Sequence, residues 1–276
     1  IVFNLIDLVL FYQTTSWITT GALIVSWKET GLGDNLLIND AISDLIRLNR
    51  GVIVKRDLST REQFRESIRL SNYIRQTLES GESMWIAQSA GRSKDGMDVT
   101  NPAILKMLHF AYRSEKISFQ DFLKRVKIVP VSISYQYDPC DRMKAWEIHR
   151  KRTRGEHKKR KYEDLLSITT GLTGFKGKVH YRFHPPIEPL YENEKQLAAA
   201  IDERIQKGYK LWSTNYIAYD IVHHTDLFDN AYSEFEKQRF YLRFRRLSKN
   251  VRQILLEAYA NPVVNKMMYG KKAEFP

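Results

Sequence analysis

Two short apolar runs end on cations. Residues 52–54, Val-Ile-Val, lead into Lys55 and Arg56; residues 84–87, Met-Trp-Ile-Ala, lead through Gln88-Ser89-Ala90 into Gly91-Arg92-Ser93-Lys94. In α/β proteins anions bind where strands end, because glycine lets backbone N–H groups approach and a guanidinium offers two parallel charge-assisted bonds to phosphate oxygens. The chemistry indicated is phosphate binding, with Lys55, Arg56, Gly91, Arg92 and Lys94 as candidate ligands. Taken alone, each string also fits a solvated strand end on a basic chain.

Proton-transfer and nucleophilic chemistry is harder to place. No histidine precedes His109. His180 and His184 alternate along a short strand and read as surface or sheet-edge residues. His223-His224 reads as a loop, and no Cys or carboxylate near it has the spacing of a metal site. The single cysteine, Cys140, excludes an internal disulfide, suits a reducing compartment, and reads as a plain thiol because no activating partner is close in sequence.

The elements that must position these residues follow from patterning. Residues 52–55 and 84–87 read as strands. Between them, Ser59-Thr-Arg-Glu62 has capping-box spacing, apolar residues at 64, 68, 74 and 78 follow at roughly helical spacing, and Gly81 closes the helix. Strand, helix, strand predicts a parallel pair with a right-handed crossover. Asn101-Pro102 opens a second helix, and 128–135 is a strand whose Pro130 favours its beginning or a sheet edge. Residues 179–183 read as a strand, 195–209 as a helix, and 234–259 as one long basic helix ended by Asn261-Pro262. Tyr209, Trp212, Tyr216 and Tyr219 read as core packing against the sheet, with an interfacial aromatic belt as the alternative. The expected architecture is α/β: a mixed or mostly parallel sheet covered by helices over 1–222, with a C-terminal helical extension over 223–276 packed on it.

A chain of 276 residues with 43% apolar composition can bury one sizeable core. Its net charge of +12 predicts an anionic partner. Arg150-Lys-Arg-Thr-Arg154 and Lys158-Lys-Arg-Lys161 concentrate that charge in an expected loop or frayed helix. A solvated face is its plainest reading and an anionic membrane surface the next; nucleic acid comes last, since no binding motif accompanies the charge. Residues 8–27 carry no charge over twenty positions but many Ser and Thr, which fits a buried strand-plus-helix or a membrane-embedded segment. The chain starts at Ile1, as a fragment would, and no signal peptide is legible.

Three blocks carry a resemblance: Asp44-Leu-Ile-Arg-Leu-Asn-Arg-Gly-Val-Ile-Val-Lys-Arg56, Trp85-Ile-Ala-Gln-Ser-Ala-Gly-Arg-Ser-Lys-Asp95, and Lys127-Ile-Val-Pro-Val-Ser-Ile-Ser-Tyr135. In this order they resemble the glycerophosphate and lysophospholipid acyltransferases over about 33–265. With loop patterns such as Gly33-Asp-Asn-Leu-Leu37 and Ile86-Ala-Gln88, the resemblance is to a bacterial branch. It implies a peripheral protein at the cytoplasmic face of the inner membrane, or one embedded through 8–27. The implied reaction moves an acyl chain from an acyl-CoA or acyl-carrier-protein thioester to a lysophospholipid or glycerol phosphate, with no metal or bound cofactor. Arg56 falls where the family contacts the acceptor phosphate, with Lys55, Gly91, Arg92 and Lys94 beside it.

The departures are as specific. The family's general base is a His with an Asp a few residues on. Aligned on Asn4-Leu-Ile-Asp-Leu-Val-Leu-Phe11, Leu5 replaces that His, Phe11 the Asp, and Ala90 a Glu, while Asp7 survives. An unperturbed carboxylate, with a pKa of about 3.9, is a far weaker base than imidazole. The resemblance with these departures implies impaired acyl transfer, or a catalytically silent relative serving as a lipid-binding or scaffolding subunit with a protein partner.

Overall fold

The structure, a computed structural model, describes residues 21–33, 52–54, 59–88, 93–155 and 163–271. In chain order the described elements are strands β1 (Gly21–Gly33) and β2 (Val52–Val54), helix α1 (Thr60–Glu79), β3 (Ser83–Ala87), α2 (Pro102–Phe110), α3 (Phe119–Val126), β4 (Val129–Tyr135), α4 (Asp141–Arg154), α5 (Glu163–Thr173), β5 (Val179–Phe183), α6 (Glu194–Gly208), α7 (Ser213–His223), α8 (Glu234–Phe244) and α9 (Lys249–Lys271). The class is mixed α/β with helix predominant.

Local sequence explains the first elements. The Ser59 amide donates to Glu62 Oε2 at 3.1 Å, which secures the first turn of α1. At the other end Gly81 takes φ +80°, so that its own amide reaches Leu78 O and the Glu82 amide reaches Thr77 O. That is a left-handed helix end that glycine makes cheaply. Asn101 caps α2 by accepting from the Ala103 amide at 2.9 Å, and Pro102 occupies a position whose missing N–H costs nothing.

The sheet corrects one expectation. Its order is β2-β1-β4-β5, with β3 also pairing β1; only β1–β2 is parallel. The mixed alternative stands, and the mostly parallel one does not describe these strands. The two strands joined by α1 do not pair with each other. β2 pairs the Gly31–Gly33 end of β1, whereas β3 pairs it antiparallel from Ala22↔Ala87 to Ser26↔Ser83, with an irregular register beyond. A strand of three residues carries too little alternation to specify its neighbour. β1 also gives residues 21–27 of the uncharged 8–27 stretch a place in the sheet. Among the described residues no helix is long and apolar enough to cross a membrane.

β4 is buried along most of its length, and Pro130 stands near its start, where no ladder donor is lost from the strand's centre. Val131 and Ile133 pack on one face with Trp85. Ser132 and Ser134, each 1% exposed, alternate onto the other face, towards α6.

Two larger apolar clusters flank the sheet. The first joins Ile74 of α1 and Met84 of β3 to Leu105 and Leu108 of α2, Phe122 of α3, and Leu197 and Ile201 of α6. The second joins Ala145 of α4 and Ile217 of α7 to Phe240 of α8 and Leu255 of α9. The C-terminal helices therefore share a core with α4 and α7.

A polar knot ties the same helices together. Asp141 Oδ2, at the start of α4, accepts from Arg243 Nε of α8 at 2.7 Å and from the Tyr259 hydroxyl of α9 at 2.9 Å. That hydroxyl accepts in turn from the Asp138 amide, and Arg243 Nη2 donates to the Asp138 carbonyl. Burial pushes the Asp141 carboxyl up against the downward pull of Arg243 and Tyr259, while Arg243 is held above the ordinary guanidinium range.

The single helix expected over 234–259 is two helices, broken between Phe244 and Lys249, and the second runs on through Pro262 to Lys271. Pro262 removes one helical donor but does not end α9, because a neighbouring loop packs at that turn and the helix is held from outside.

Candidate functional site

That loop follows β3. Gln88, fully buried at the strand's end, accepts from the Asn101 amide through its carbonyl at 2.9 Å and donates from Nε2 to Asp202 Oδ1 of α6 at 3.1 Å. The same carboxylate oxygen accepts from the Thr100 amide at 2.8 Å and the Thr100 hydroxyl at 2.5 Å. Burial pushes the Asp202 carboxyl up, while the bonds from Thr100 and Gln88 favour its charged form.

Lys94 reaches the opposite way. Its Nζ lies 2.6 Å from Oε1 of Glu147 on α4, a carboxylate also met by Lys151 at 3.3 Å. Burial would raise Glu147, but the two lysines outweigh it and hold the carboxyl below its usual range. From the third side, Asn261 and Asn265, one helical turn apart on α9, donate to the carbonyls of Asp95 at 2.7 Å and Gly96 at 2.8 Å. Gly96 makes this approach possible: at φ +74° a Cβ would sit 2.7 Å from the Ala258 carbonyl and 3.1 Å from Pro262 Cδ. Ala258 is four residues before Pro262, so the loop docks where the proline has freed a carbonyl of its helical partner.

Residues 93–100 are thus braced by α4, α6 and α9. The bracing fixes both flanks of the string Ser89-Ala90-Gly91-Arg92, which itself lies outside the described residues, as do Leu5, Asp7, Phe11, Lys55 and Arg56. Of the expected phosphate ligands, Lys94 is the described one, and its ammonium is committed at least in part to Glu147.

Gly96→Ala is expected to cost more than Gly81→Ala. Both glycines have positive φ, worth about 1–3 kcal/mol of strain for another residue. Only Gly96 adds overlap with backbone, since nothing lies within 4 Å of a Cβ at Gly81. Urea unfolding midpoints of the two variants check this; equal losses would mean that the clasp onto α9 is loose.

No described histidine hydrogen-bonds to this loop. His109 pairs through Nδ1 with Glu194 at 3.0 Å and packs on Phe119 and Phe122. It stands at the far end of α2 from Asn101, about 10 Å along the helix axis from the turn that meets Gln88. Ser132 and His184 have the elements of a nucleophile and base, with Oγ and Nε2 2.8 Å apart. Their polarity is wrong for it: Ser132 donates to the Ile205 carbonyl at 2.9 Å, so His184 must be the donor to Ser132. Burial, with Arg182 and Arg204, pushes the His184 pKa down to about 4. His223 and His224 are exposed, and no group among the described residues could hold a metal.

Cys140 is buried with Sγ 3.5 Å from the Ser167 carbonyl, and the buried Lys176 lies within electrostatic reach of the thiol. Tyr209 is buried, whereas Tyr216 and Tyr219 are half-buried and pack on Phe228, beyond the end of α7. Asp202, Glu147, Asn261 and Asn265 were not legible as site-bracing residues. The available signal was the pair of asparagines four apart around Pro262, which reads first as a helix stop.

Comparison with protein-family models, with curated proteins and with solved structures finds no match for this chain.

Proposed function

We propose that the chain is a phosphate-binding protein of the glycerolipid acyltransferase type that keeps the acceptor pocket and has lost its general base. The observation that carries this reading is the bracing of residues 93–100 from three helices. An ordinary solvated turn has no need of a buried carboxylate taking three donors or of two asparagines holding its carbonyls. A loop that must present backbone N–H groups and cations to an anion in one geometry does.

In this reading Arg56, Lys55, Arg92 and the Gly91 turn hold the phosphate of a lysophosphatidate or glycerol-phosphate acceptor, and Lys94 adds charge while locking the loop to α4. The donor is a thioester of coenzyme A or of an acyl carrier protein, and no resident metal or cofactor is required. The chain works at the cytoplasmic face of a membrane, attracted by its net charge of +12.

The silent alternative, a lipid-binding or scaffolding subunit, draws on a specific observation. Leu5 and Phe11 stand where the base and its partner are expected, and His109 sits at the far end of α2 with Glu194.

Arg56→Ala is expected to weaken lysophosphatidate binding by about 1.5–3 kcal/mol, the value of a hydrogen bond to a charged group. Arg56→Lys restores only part of it, because a point charge lacks the guanidinium fork. Isothermal calorimetry decides. Unchanged affinity in Arg56→Ala would remove Arg56 from the site and the phosphate reading with it.

A further inference from the structure

We infer a second anion site, on the opposite half of the sheet, where β5, the turn between α6 and α7, and α9 converge. It is independent of the acyltransferase reading. Ser134 and His180 are direct partners across β4 and β5, as are Ser132 and Arg182, so all four side chains leave the sheet on one face. Lys266 of α9 reaches the same region, donating from Nζ to the Tyr209 carbonyl at 2.9 Å. Lys210, the next residue, lies over the Trp212 ring at 4.7 Å. The group is close enough to act on itself. Burial first, and then Lys210, Arg182 and Lys266, push the His180 pKa down, and Arg182 adds to the burial that lowers Lys266.

Two features separate this cluster from a solvated basic face. Among the described residues no carboxylate pairs with Arg182, Lys210 or Lys266, although exposed lysines such as Lys124 and Lys207 do have acidic partners. Polar atoms in this region also have no hydrogen-bond partner among the described residues: Ser134 Oγ, in a residue 1% exposed, His180 Nδ1 of its cross-strand partner, and Nε1 of Trp212, whose ring lies under Lys210. A buried hydroxyl left unpaired costs about 1–3 kcal/mol, and like charges gathered without a counterion repel. One ligand relieves both: an oxyanion accepting from Ser134, His180 and Trp212 while neutralising Arg182, Lys210 and Lys266. The number of positive groups favours a phosphate ester over a single carboxylate. The ester can belong to a soluble molecule or to a lipid headgroup.

The test uses the full chain carrying Arg56→Ala, so that the first candidate pocket does not compete, with inorganic pyrophosphate as the soluble probe. Vesicles of phosphatidylcholine with phosphatidate are the lipid probe. Calorimetry is expected to show saturable pyrophosphate binding that Arg182→Ala with Lys266→Met weakens about ten- to a hundredfold. NMR of the His180 imidazole in the unsubstituted chain is expected to show its titration moving up when the anion binds, since a facing negative charge favours the protonated ring. Vesicle binding that needs the same two cations, with no pyrophosphate binding, would assign the site to a headgroup. Absence of saturable binding to either probe, affinity indifferent to the paired substitution, or a His180 titration unmoved by the ligand overturns the proposal. The NMR readout needs no substitution, so a variant that fails to fold leaves the decision intact.

Discussion

Purified chain supplied with an acyl thioester and lysophosphatidate is expected to transfer acyl groups about 10²–10⁴-fold more slowly than a relative with an intact His and Asp, the usual contribution of general-base assistance. The acceptor hydroxyl must lose its proton as it attacks the thioester carbonyl, and neither Leu5 nor Phe11 can take it. Some rate above the spontaneous reaction is compatible with this, because holding two reactants in one geometry has value without proton transfer. Turnover equal to that of an intact relative is not; it would point to Asp7 or to a histidine brought in from elsewhere in the chain. Rebuilding the motif with Leu5→His, Phe11→Asp and Ala90→Glu is expected to recover part of the rate. Placing the histidine at position 4 or 6 instead tests the register on which that expectation rests. Radiolabelled acyl transfer resolved by thin-layer chromatography reads all five proteins.

The knot around Asp141 carries the largest expected stability effect. Arg243→Met is expected to destabilise the fold by about 3–5 kcal/mol, because it strands a buried carboxylate whose charged partner is gone. The Asp141 side chain is 4% exposed, so water cannot replace the guanidinium. Arg243→Met combined with Asp141→Leu should recover much of the loss, since it removes the stranded charge as well as the pair. Tyr259→Phe falls between, losing one bond to Asp141 and the acceptor of the Asp138 amide. Chemical denaturation of the three variants gives the order. A loss below about 1 kcal/mol for Arg243→Met would mean that the pair is solvated and behaves as a surface ion pair does.

Local chemistry made part of this molecule legible. Ser59 with Glu62, Gly81, and Asn101 with Pro102 each work through groups within a few residues, and each has its expected role at a helix end. The pairing of the sheet was not legible, because β2 offers three residues and the strand between its neighbours comes from a stretch whose composition also suits a membrane. The site divides along the same line. The cations were found from their position after strands, whereas the residues that brace the loop lie far off in sequence: Asp202 binds Thr100 across 102 positions and Asn265 binds Gly96 across 169. Pro262 shows the cost of reading locally. A proline stops an isolated helix, but α9 continues because Gly96 and two asparagines take up the contacts at that turn.

That clasp also orders events during synthesis. Asp95 waits 166 residues for Asn261. Contacts so distant along the chain carry a large loop-closure cost, so the clasp is expected to form after the local helices. A nascent chain, or one clipped before residue 261, can have its first core assembled while the loop after β3 is still unclasped. The geometry of the loop after β3 therefore depends on α9 being folded against it.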